Sequence, residues 1–257
     1  MSIITLTTDL GDRDYYAGAL RGYILSNCRV GHIVDISNRI TNFDVFHAGI
    51  VLRNAYTFFP DGTVHLAYVD TEMIEFRRFL AIEYRKHFFL GPDNGLFSMV
   101  LDGSPERIVE LDQSGQPETP FPARDVLAHF ACRLVNGEDI SSFGKAADRF
   151  EALRSLQPIV MDDSIRAHVI YVDQYENAMI NVDVETFEQQ RKGRNFVIIF
   201  KRTEFIHRID RNYNDVPAGE KLCFFNSAGY LEIAINKGKA SSLLGLRLND
   251  PVQIEFE

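Results

Sequence analysis

A short β-branched run near the amino terminus, ending in an acidic glycine turn, sets the strongest limit on the fold. Residues 3–8 read Ile-Ile-Thr-Leu-Thr-Thr, and Asp9, Asp12 and Asp14 follow around Gly11. Such runs are typical of strands, and glycine permits a sharp turn into a following helix. Open α/β sheets present acidic side chains to ligands at the carboxyl ends of their strands. The stretch therefore predicts a first strand whose end faces a ligand.

Two strand-helix-strand units follow one another in the first third of the chain. Asp14 is placed to cap the first helix, and Asn42 or Asp44 to cap the second. Successive units of this kind predict a largely parallel sheet with helices covering it. The predicted elements are a helix at residues 15–26, a strand at 32–36, a helix ending near 58, and a strand at 63–69 that leads to Asp70.

The pattern changes along the rest of the chain. Residues 79–90 predict a hairpin, residues 91–95 a tight turn, and residues 125–135 a helix. Residues 144–158 have the mixed, polar character of a domain connection. Short β-rich runs then predict a smaller all-β domain, a barrel or a sandwich. The predicted domains are an amino-terminal α/β domain at residues 1–157 and a barrel-like domain at 158–257, with strands near 166–172, 196–200, 222–226, 230–235 and 252–256.

Composition narrows the class of ligand. The 257 residues are 46% hydrophobic with a net charge of −9, which suits a globular protein and argues against nucleic acid or an anionic membrane as a partner. No stretch has the length and apolar character of a membrane span or an export signal, so we place the chain in the cytoplasm. Cys28, Cys132 and Cys223 are far apart in sequence and predict buried free thiols in a reducing compartment. The scattered histidines predict no metal site.

Four sequence strings resemble one known family. They are Thr8-Asp9-Leu10-Gly11, Gly91-Pro92-Asp93-Asn94-Gly95, Tyr213-Asn214-Asp215-Val216-Pro217-Ala218-Gly219-Glu220, and Asn226-Ser227-Ala228-Gly229-Tyr230-Leu231-Glu232-Ile233-Ala234. Together, and in this order, they resemble the S-adenosylmethionine hydroxide adenosyltransferases, the family that also contains fluorinating and chlorinating enzymes. The resemblance implies an α/β domain, a β-barrel, and a homotrimer. It also implies that each site lies between the first domain of one subunit and the second domain of its neighbour.

The resemblance implies a reaction in which water attacks C5′ of the ribose and methionine leaves, with S-adenosylmethionine as substrate and no other cofactor. It places Asp9 on the two ribose hydroxyls, although a turn-stabilising role is the alternative. Asp14 matches an acidic position near the methionine ammonium, and helix capping is its alternative. Phe43 matches an aromatic beside the ribose, while the alternative is a place in the core.

The adenine and the methionine tail are matched by residues of the second domain. Tyr213 matches the family's stacking aromatic and Asn177 its recognition amide. Ser227 and Ala228 match a turn that contributes to the same site. Asp173 either holds the methionine tail or caps its own loop.

The hydrolytic members use an aspartate, an arginine and a histidine to handle water. Asp70 and Arg77 match the first two, although a surface salt-bridged loop that includes Arg78 is an alternative for the arginine. Pro122 stands where the family has histidine. His129, one helical turn further on, is a weaker candidate for that role.

Two other positions depart from the family pattern. The glycine-rich loop after the strand aspartate reads Thr71-Glu72-Met73-Ile74, and Glu176 replaces a glycine just before Asn177. Binding residues are therefore better preserved than catalytic ones. The leading hypothesis is an S-adenosylmethionine hydrolase that forms adenosine, and the alternative is a non-catalytic adenosine or S-adenosylmethionine binding protein. A halogenase is less favoured, because the halogenases' long insertion after the strand that corresponds to residues 79–84 is missing and Ala123 replaces a serine near their halide.

Overall fold

A computed structural model describes residues 2–70, 78–115, 119–153, 157–201 and 204–257. The chain divides into two compact units, Met1–Arg154 and Ser155–Glu257. The sequence predicts the division after residue 157. Among the described residues, no helix has the length and apolar character needed to cross a membrane.

A seven-stranded sheet forms the centre of the first unit, in the order β2-β1-β3-β5-β4-β6-β7. The pairings from β2 to β5 are parallel, and those from β5 through β4 and β6 to β7 are antiparallel. The α/β class is confirmed, but the sheet is mixed rather than largely parallel, because the β4–β5 hairpin reverses the strand direction halfway across. The strands are β1 (Ile3–Thr8), β2 (His32–Ser37), β3 (Val64–Tyr68), β4 (Phe79–Tyr84), β5 (His87–Pro92), β6 (Arg107–Leu111) and β7 (Gly144–Ala146).

Helices pack against this sheet through their apolar faces. Ala17, Leu20 and Ile24 are buried at helical spacing on the first helix, and Leu20 and Ile24 join the core formed by Ile4 and Leu6. The second helix buries residues such as Ala48 and Leu52 in a separate core cluster. The helices are α1 (Tyr16–Asn27), α2 (Val45–Tyr56), α3 (Leu96–Val100) and α4 (Ala128–Val135), with a π-helical segment at Ala123–Leu127 and a 3-10 turn at Ile140–Phe143.

The two predicted helix caps have different outcomes. Asp44 caps α2, where its Oδ1 accepts a hydrogen bond from His47 N at 2.9 Å. The predicted cap at Asp14 is wrong, because α1 begins at Tyr16 and Tyr15 occupies the cap position without a side-chain hydrogen bond. Asp14 is exposed just before the helix.

The cysteine prediction is also corrected. Cys28, at the carboxyl end of α1, forms a disulfide with Cys132 of α4, and their Cα atoms are 4.8 Å apart. Only Cys223 fits the prediction of a buried free thiol. Packing of α1 against α4 brings together two residues that are 104 positions apart in sequence. The cysteines therefore give no support to a reducing compartment.

The second unit is built on an eight-stranded sheet in which the pairings among the described strands are antiparallel. This confirms the prediction of a smaller β domain, and the sheet is nearly barrel-shaped. Two short helices, α5 (Val184–Arg191) and α6 (Ala240–Leu244), accompany it. The strands are β8 (Ile159–Met161), β9 (Ser164–Val172), β10 (Ala178–Asp183), β11 (Phe196–Phe200), β12 (Glu204–Ile206), β13 (Lys221–Phe225), β14 (Tyr230–Ile235) and β15 (Pro251–Phe256), in the order β12-β11-β15-β9-β10-β14-β13 with β8 beside β9.

Candidate functional site

The first unit places two candidate carboxylates at one edge of its sheet. The chain passes from β1 through α1 to β2 on one side, and then through α2 to β3 on the other side of β1. Thr8 at the end of β1 lies opposite Tyr68 at the end of β3, so Asp9 and Asp70 follow neighbouring strand ends. Ligands of open α/β sheets bind at such a switch point, outside the carboxyl ends of the strands.

The Asp9 side chain is bonded to the turn that precedes α2 and keeps capacity for a ligand. Its Oδ2 accepts a hydrogen bond from Phe43 N at 3.0 Å. Among the described residues, no donor is bonded to Oδ1. The bond to Phe43 joins two segments rather than stabilising the turn of Asp9 itself, and Oδ1 leaves room for a ligand.

Phe43 does not lie in the core. Its side chain is 61% exposed, and its φ of 64° is in the left-handed region, which a bulky residue rarely adopts. An exposed aromatic ring in a strained conformation beside Asp9 has no packing role that explains it. Such strain is concentrated at functional sites.

Asp70 is held at the strand end by an asparagine from the turn at residues 91–95. Asn94 Nδ2 donates to Val69 O at 2.8 Å and to Asp70 O at 3.0 Å. Asp70 has a φ of 45°, so these bonds stabilise a backbone conformation that is costly for an aspartate. Arg77, the predicted partner of Asp70, lies outside the described residues.

Arg78 has a structural role. Its Nη1 lies 2.6 Å from Asp93 Oδ2, and its Nε lies 2.9 Å from Glu110 Oε2. The Asp93 carboxyl group is buried, which raises its pKa, while the backbone N–H of Glu151 and the charge of Arg78 act in the opposite direction. Arg78 is therefore engaged in ion pairs within the first unit, and the alternatives for Arg77 stay predictions.

The segment that contains Pro122, the residue in place of the family histidine, is held by side-chain hydrogen bonds. Pro122 is buried and directly precedes the π-helical segment. Asp125 accepts hydrogen bonds from Arg124 Nε at 2.6 Å and from the Thr119 hydroxyl group. The bond from Arg124 is the main reason that the pKa of Asp125 is lowered. His129, on α4, is partly buried, which lowers its pKa, and its ring packs edge-on against Phe130.

In the second unit, the structure brings together three of the predicted binding residues. Asp173 Oδ1 accepts a hydrogen bond from Asn177 N at 2.8 Å, and its Oδ2 accepts one from Asn177 Nδ2 at 3.1 Å. The same amide nitrogen donates to the Tyr213 hydroxyl group at 3.1 Å. Asp173 therefore fixes the loop that carries Asn177, which is the capping role among its two alternatives.

A buried glutamate joins this group to the turn with Ser227 and Ala228. Glu232 accepts hydrogen bonds from Asn226 Nδ2 at 2.8 Å and from the Tyr213 hydroxyl group at 3.4 Å. Asn226 Oδ1 in turn accepts the backbone N–H of Ala228 at 3.0 Å. Burial raises the pKa of Glu232, and burial together with the Glu232 charge raises the pKa of Tyr213 to about 12.

A pocket of about 740 Å³ opens beside Asn177 and Tyr213. Tyr213 is 41% exposed, and its ring packs edge-on against Phe224. An accessible aromatic ring next to a buried amide can bind a flat heterocycle by stacking and by edge recognition. Further lining residues include Tyr175, Lys239, Ser242 and Leu243.

Sequence reasoning missed Asn94 and Glu232. The turn composition of residues 91–95 explains Asn94 without any contact to Asp70, so no sequence signal pointed to that contact. Glu232 had a signal, because an acidic residue within a buried apolar strand requires polar partners. In the described part of the chain, no group of three or more His, Cys, Asp or Glu residues is arranged to hold a metal ion.

Two parts of the chain match the two domains of one known family. The chain matches the SAM hydroxide adenosyltransferase N-terminal domain over residues 4–144 and the C-terminal domain over residues 167–253. It is 30% identical to a protein from Methanocaldococcus jannaschii named (R)-S-adenosyl-L-methionine hydrolase, over 100% of this chain and 97% of the relative. A protein of the same name from Salinispora arenicola is 27% identical over 98% and 97% of the two chains.

More distant relatives and a solved structure extend the comparison. A fluorinase from Actinoplanes sp. is 22% identical over 91% of both chains. The crystal structure of an uncharacterized conserved protein from Thermotoga maritima superposes with a TM-score of 0.88, at 26% identity and 99% coverage of both chains. The four strings of residues and the two domain matches agree, and the chain belongs to the SAM hydroxide adenosyltransferase family.

Proposed function

We propose that this protein is an S-adenosylmethionine hydrolase, in which water attacks ribose C5′ and the products are adenosine and L-methionine. The observation that carries the proposal is the pair Asp9 and Asp70 at neighbouring strand ends of the switch point. The full-length relatives named (R)-S-adenosyl-L-methionine hydrolase support it.

The reaction makes modest chemical demands on the protein. The sulfonium is already a good leaving group, so methionine departs without protonation. The enzyme must hold the nucleoside and deliver water in line with the C5′–S bond. Asp9 and Phe43 bind the ribose, and Tyr213, Asn177, Ser227 and Ala228 bind the adenine. Asp14 is the candidate for binding the methionine ammonium group. Asp173 acts mainly by positioning Asn177.

Asp70 accepts a proton from the attacking water, and Arg77 stabilises the developing hydroxide. Pro122 cannot donate or accept through its side chain, so this pair works without the third member present in hydrolytic relatives. Asn94 holds the backbone of Asp70 in the conformation from which the carboxylate works.

The proposed nucleoside-binding residues are divided between the two units, with Asp9 and Phe43 in the first and Asn177 and Tyr213 in the second. We infer that a homotrimer completes each site between the first unit of one subunit and the second unit of its neighbour. Light scattering of the purified protein tests this, with an expected mass of three times the chain mass of 29.3 kDa. A monomer that hydrolyses S-adenosylmethionine would contradict the inference.

Turnover is tested by incubating purified protein with each sulfonium epimer of S-adenosylmethionine and measuring adenosine by chromatography. The assay covers about pH 6 to pH 9, a range that brackets the pKa values of histidine and of perturbed carboxylates. Asp70→Asn preserves the shape of the side chain and removes the base, so we expect kcat to fall by about 100- to 10,000-fold. Adenosine binding should be retained. No release of adenosine by the wild-type protein, at any pH, would contradict the proposed reaction.

Pro122 favours a second candidate function, a binding protein for adenosine or S-adenosylmethionine without turnover. Calorimetric binding in the absence of any product would support this candidate. A halogenase would require chloride-dependent formation of a 5′-chlorinated nucleoside in the same assay.

A further inference from the structure

Glu176 occupies a backbone conformation that does not suit it. Its φ is 65°, in the left-handed region that glycine adopts freely and side-chain-bearing residues avoid. The residue directly precedes Asn177, the buried amide of the candidate adenine site. A glutamate at such a position needs contacts that offset the strain.

The carboxylate and the backbone oxygen of Glu176 reach one segment of the chain, residues 239–242, while its own backbone N–H donates to Asp173 O at 2.9 Å. Glu176 Oε1 lies 2.7 Å from Lys239 Nζ, and Oε2 accepts Ser242 N at 3.0 Å and the Ser242 hydroxyl group. The backbone oxygen of Glu176 accepts Ser241 N at 2.8 Å. The bonds from Lys239 and Ser242 lower the pKa of Glu176, so its side chain is ionised at neutral pH.

The two segments joined by Glu176 line the same pocket. Tyr175 and Asn177 line it from the loop of Glu176, and Lys239, Ser242 and Leu243 line it from the segment that begins α6. Glu176 therefore lies between two parts of the lining and is bonded to both, through the peptide chain on one side and through its carboxylate on the other.

We propose that Glu176 is a positioning residue that braces the two sides of this pocket and holds Asn177 in place for the edge of a purine base. This inference rests on the proposed function, because it takes the pocket to be the nucleobase site. The brace orders the pocket before the ligand arrives, and its loss appears as weaker binding of the base, with little change in the chemical step.

A glycine variant at position 176 distinguishes an effect on ligand binding from an effect on folding stability. Glu176→Gly removes the carboxylate and also relieves the positive φ, so the stability of the unit is expected to be unchanged or raised. Lys192→Gly is the matched control, since Lys192 ends α5 with a φ of 49°, is exposed, and does not line the pocket. It relieves the same kind of strain without touching the brace.

The experiment measures adenosine binding by calorimetry and the kinetics of S-adenosylmethionine hydrolysis for the wild-type chain and four variants. Glu176→Gly is expected to raise the Kd for adenosine and the KM about tenfold, with kcat within about twofold of wild type. Glu176→Gln, which keeps an acceptor for Ser242, and Ser242→Ala are expected to show smaller increases. Lys192→Gly should bind as wild type does.

Hydrogen exchange supplies a readout that does not depend on turnover. The Ser242 amide loses its acceptor in Glu176→Gly and should exchange faster, whereas the Ser241 amide keeps the backbone oxygen of residue 176. Wild-type affinity in Glu176→Gly would overturn the proposal and leave the proposed function standing. If Glu176→Gly does not fold, wild-type affinity in both Glu176→Gln and Ser242→Ala would overturn it. No adenosine binding by the wild-type chain would overturn both the proposed function and this inference.

Discussion

Three non-glycine residues of the candidate sites have a left-handed φ: Phe43, Asp70 and Glu176. Each is fixed by a polar contact from another segment, respectively the Asp9 carboxylate, the Asn94 amide and the backbone N–H of Ser242. Other positive-φ residues, such as Lys86 and Lys192, lie in a hairpin turn and at a helix end, where that conformation is common. Phe43 and Glu176 also lie in tight turns, which are closed by hydrogen bonds from Asp44 N to Thr41 O at 3.0 Å and from Glu176 N to Asp173 O at 2.9 Å. The polar contact from another segment, rather than the left-handed φ alone, is therefore what these residues share.

At the same scale, Asn94→Ala tests the support of Asp70. The variant removes the donor to Val69 O and Asp70 O, so the backbone of Asp70 loses the bonds that hold its left-handed conformation. We expect kcat to fall by about 10- to 100-fold, because small misplacements of a catalytic group are costly, with a smaller change in KM. Steady-state kinetics measures both. Asn27→Ala, at an exposed helix end, is the control, and equal kcat in the two variants would count against a role for Asn94.

Among the elements, α1 and α4 are joined by the Cys28–Cys132 disulfide at 104 residues of separation. Closing a loop of that length restricts the unfolded chain, which stabilises the fold by roughly 4 to 5 kcal/mol in the chain-entropy estimate. The first unit should therefore lose stability when the bond is reduced.

Denaturant unfolding with and without a reductant measures this loss. The double variant Cys28→Ala/Cys132→Ala should unfold near the midpoint of the reduced wild type, and the reductant should not shift it. An unchanged wild-type midpoint under reducing conditions would rule out the bond as a stabilising element.

The start of α1 lies close to the start of the segment that leads into α4, because the Tyr16 and Phe121 ring centroids are 5.6 Å apart, and the disulfide joins the two helices at the other end of α1. α1 starts directly after the acidic residues 9–14, and the π-helical segment that leads into α4 starts after Pro122. The disulfide, together with the packing of α1 on α4, therefore limits how far these two starts can separate.

For the molecule as a whole, we expect acid stability to depend on a buried histidine pair. His65 is fully buried, and burial, followed by the charge of His87, lowers its pKa to about 3. Its ring nitrogens lie 2.7 Å from Thr5 Oγ1 and 3.1 Å from His87 Nδ1. The folded state disfavours the protonated form, so stability is present above pH 6.5 and is lost as the pH falls toward 3.

His65 alone should lower the free energy of unfolding by about 2 kcal/mol between pH 7 and pH 5, because protons bind only to the unfolded chain in that range. Urea unfolding at several pH values measures the slope. His65→Gln should flatten it, even if the variant is less stable at pH 7. His32→Gln, at an exposed position, should retain the wild-type slope, and equal slopes in both variants would refute the assignment.

Local patterns predicted much of this molecule. Apolar spacing predicted α1 and α2, and β-branched runs predicted the strands that lead to Asp9 and Asp70. These predictions succeed because the repeat of apolar residues that identifies a helix or a strand is visible within a short stretch of sequence. The capping of α2 by Asp44 was predictable for the same reason. Asp14 was misassigned because the first turn of α1 begins two residues later, at Tyr16, and boundaries depend on packing that the local pattern does not contain.

By itself, the sequence determined the α/β and β classes of the two units, the carboxylates at the strand ends, and the family. The tertiary structure alone decided the mixed sheet, the disulfide, the support of Asp70 by Asn94, and the bonding of Glu176 to Ser242. The physical reason is that each of these depends on pairing or packing between segments 24 to 104 residues apart. Spacing along the chain predicts which face of an element is buried, but contacts over such separations follow from strand order and helix packing.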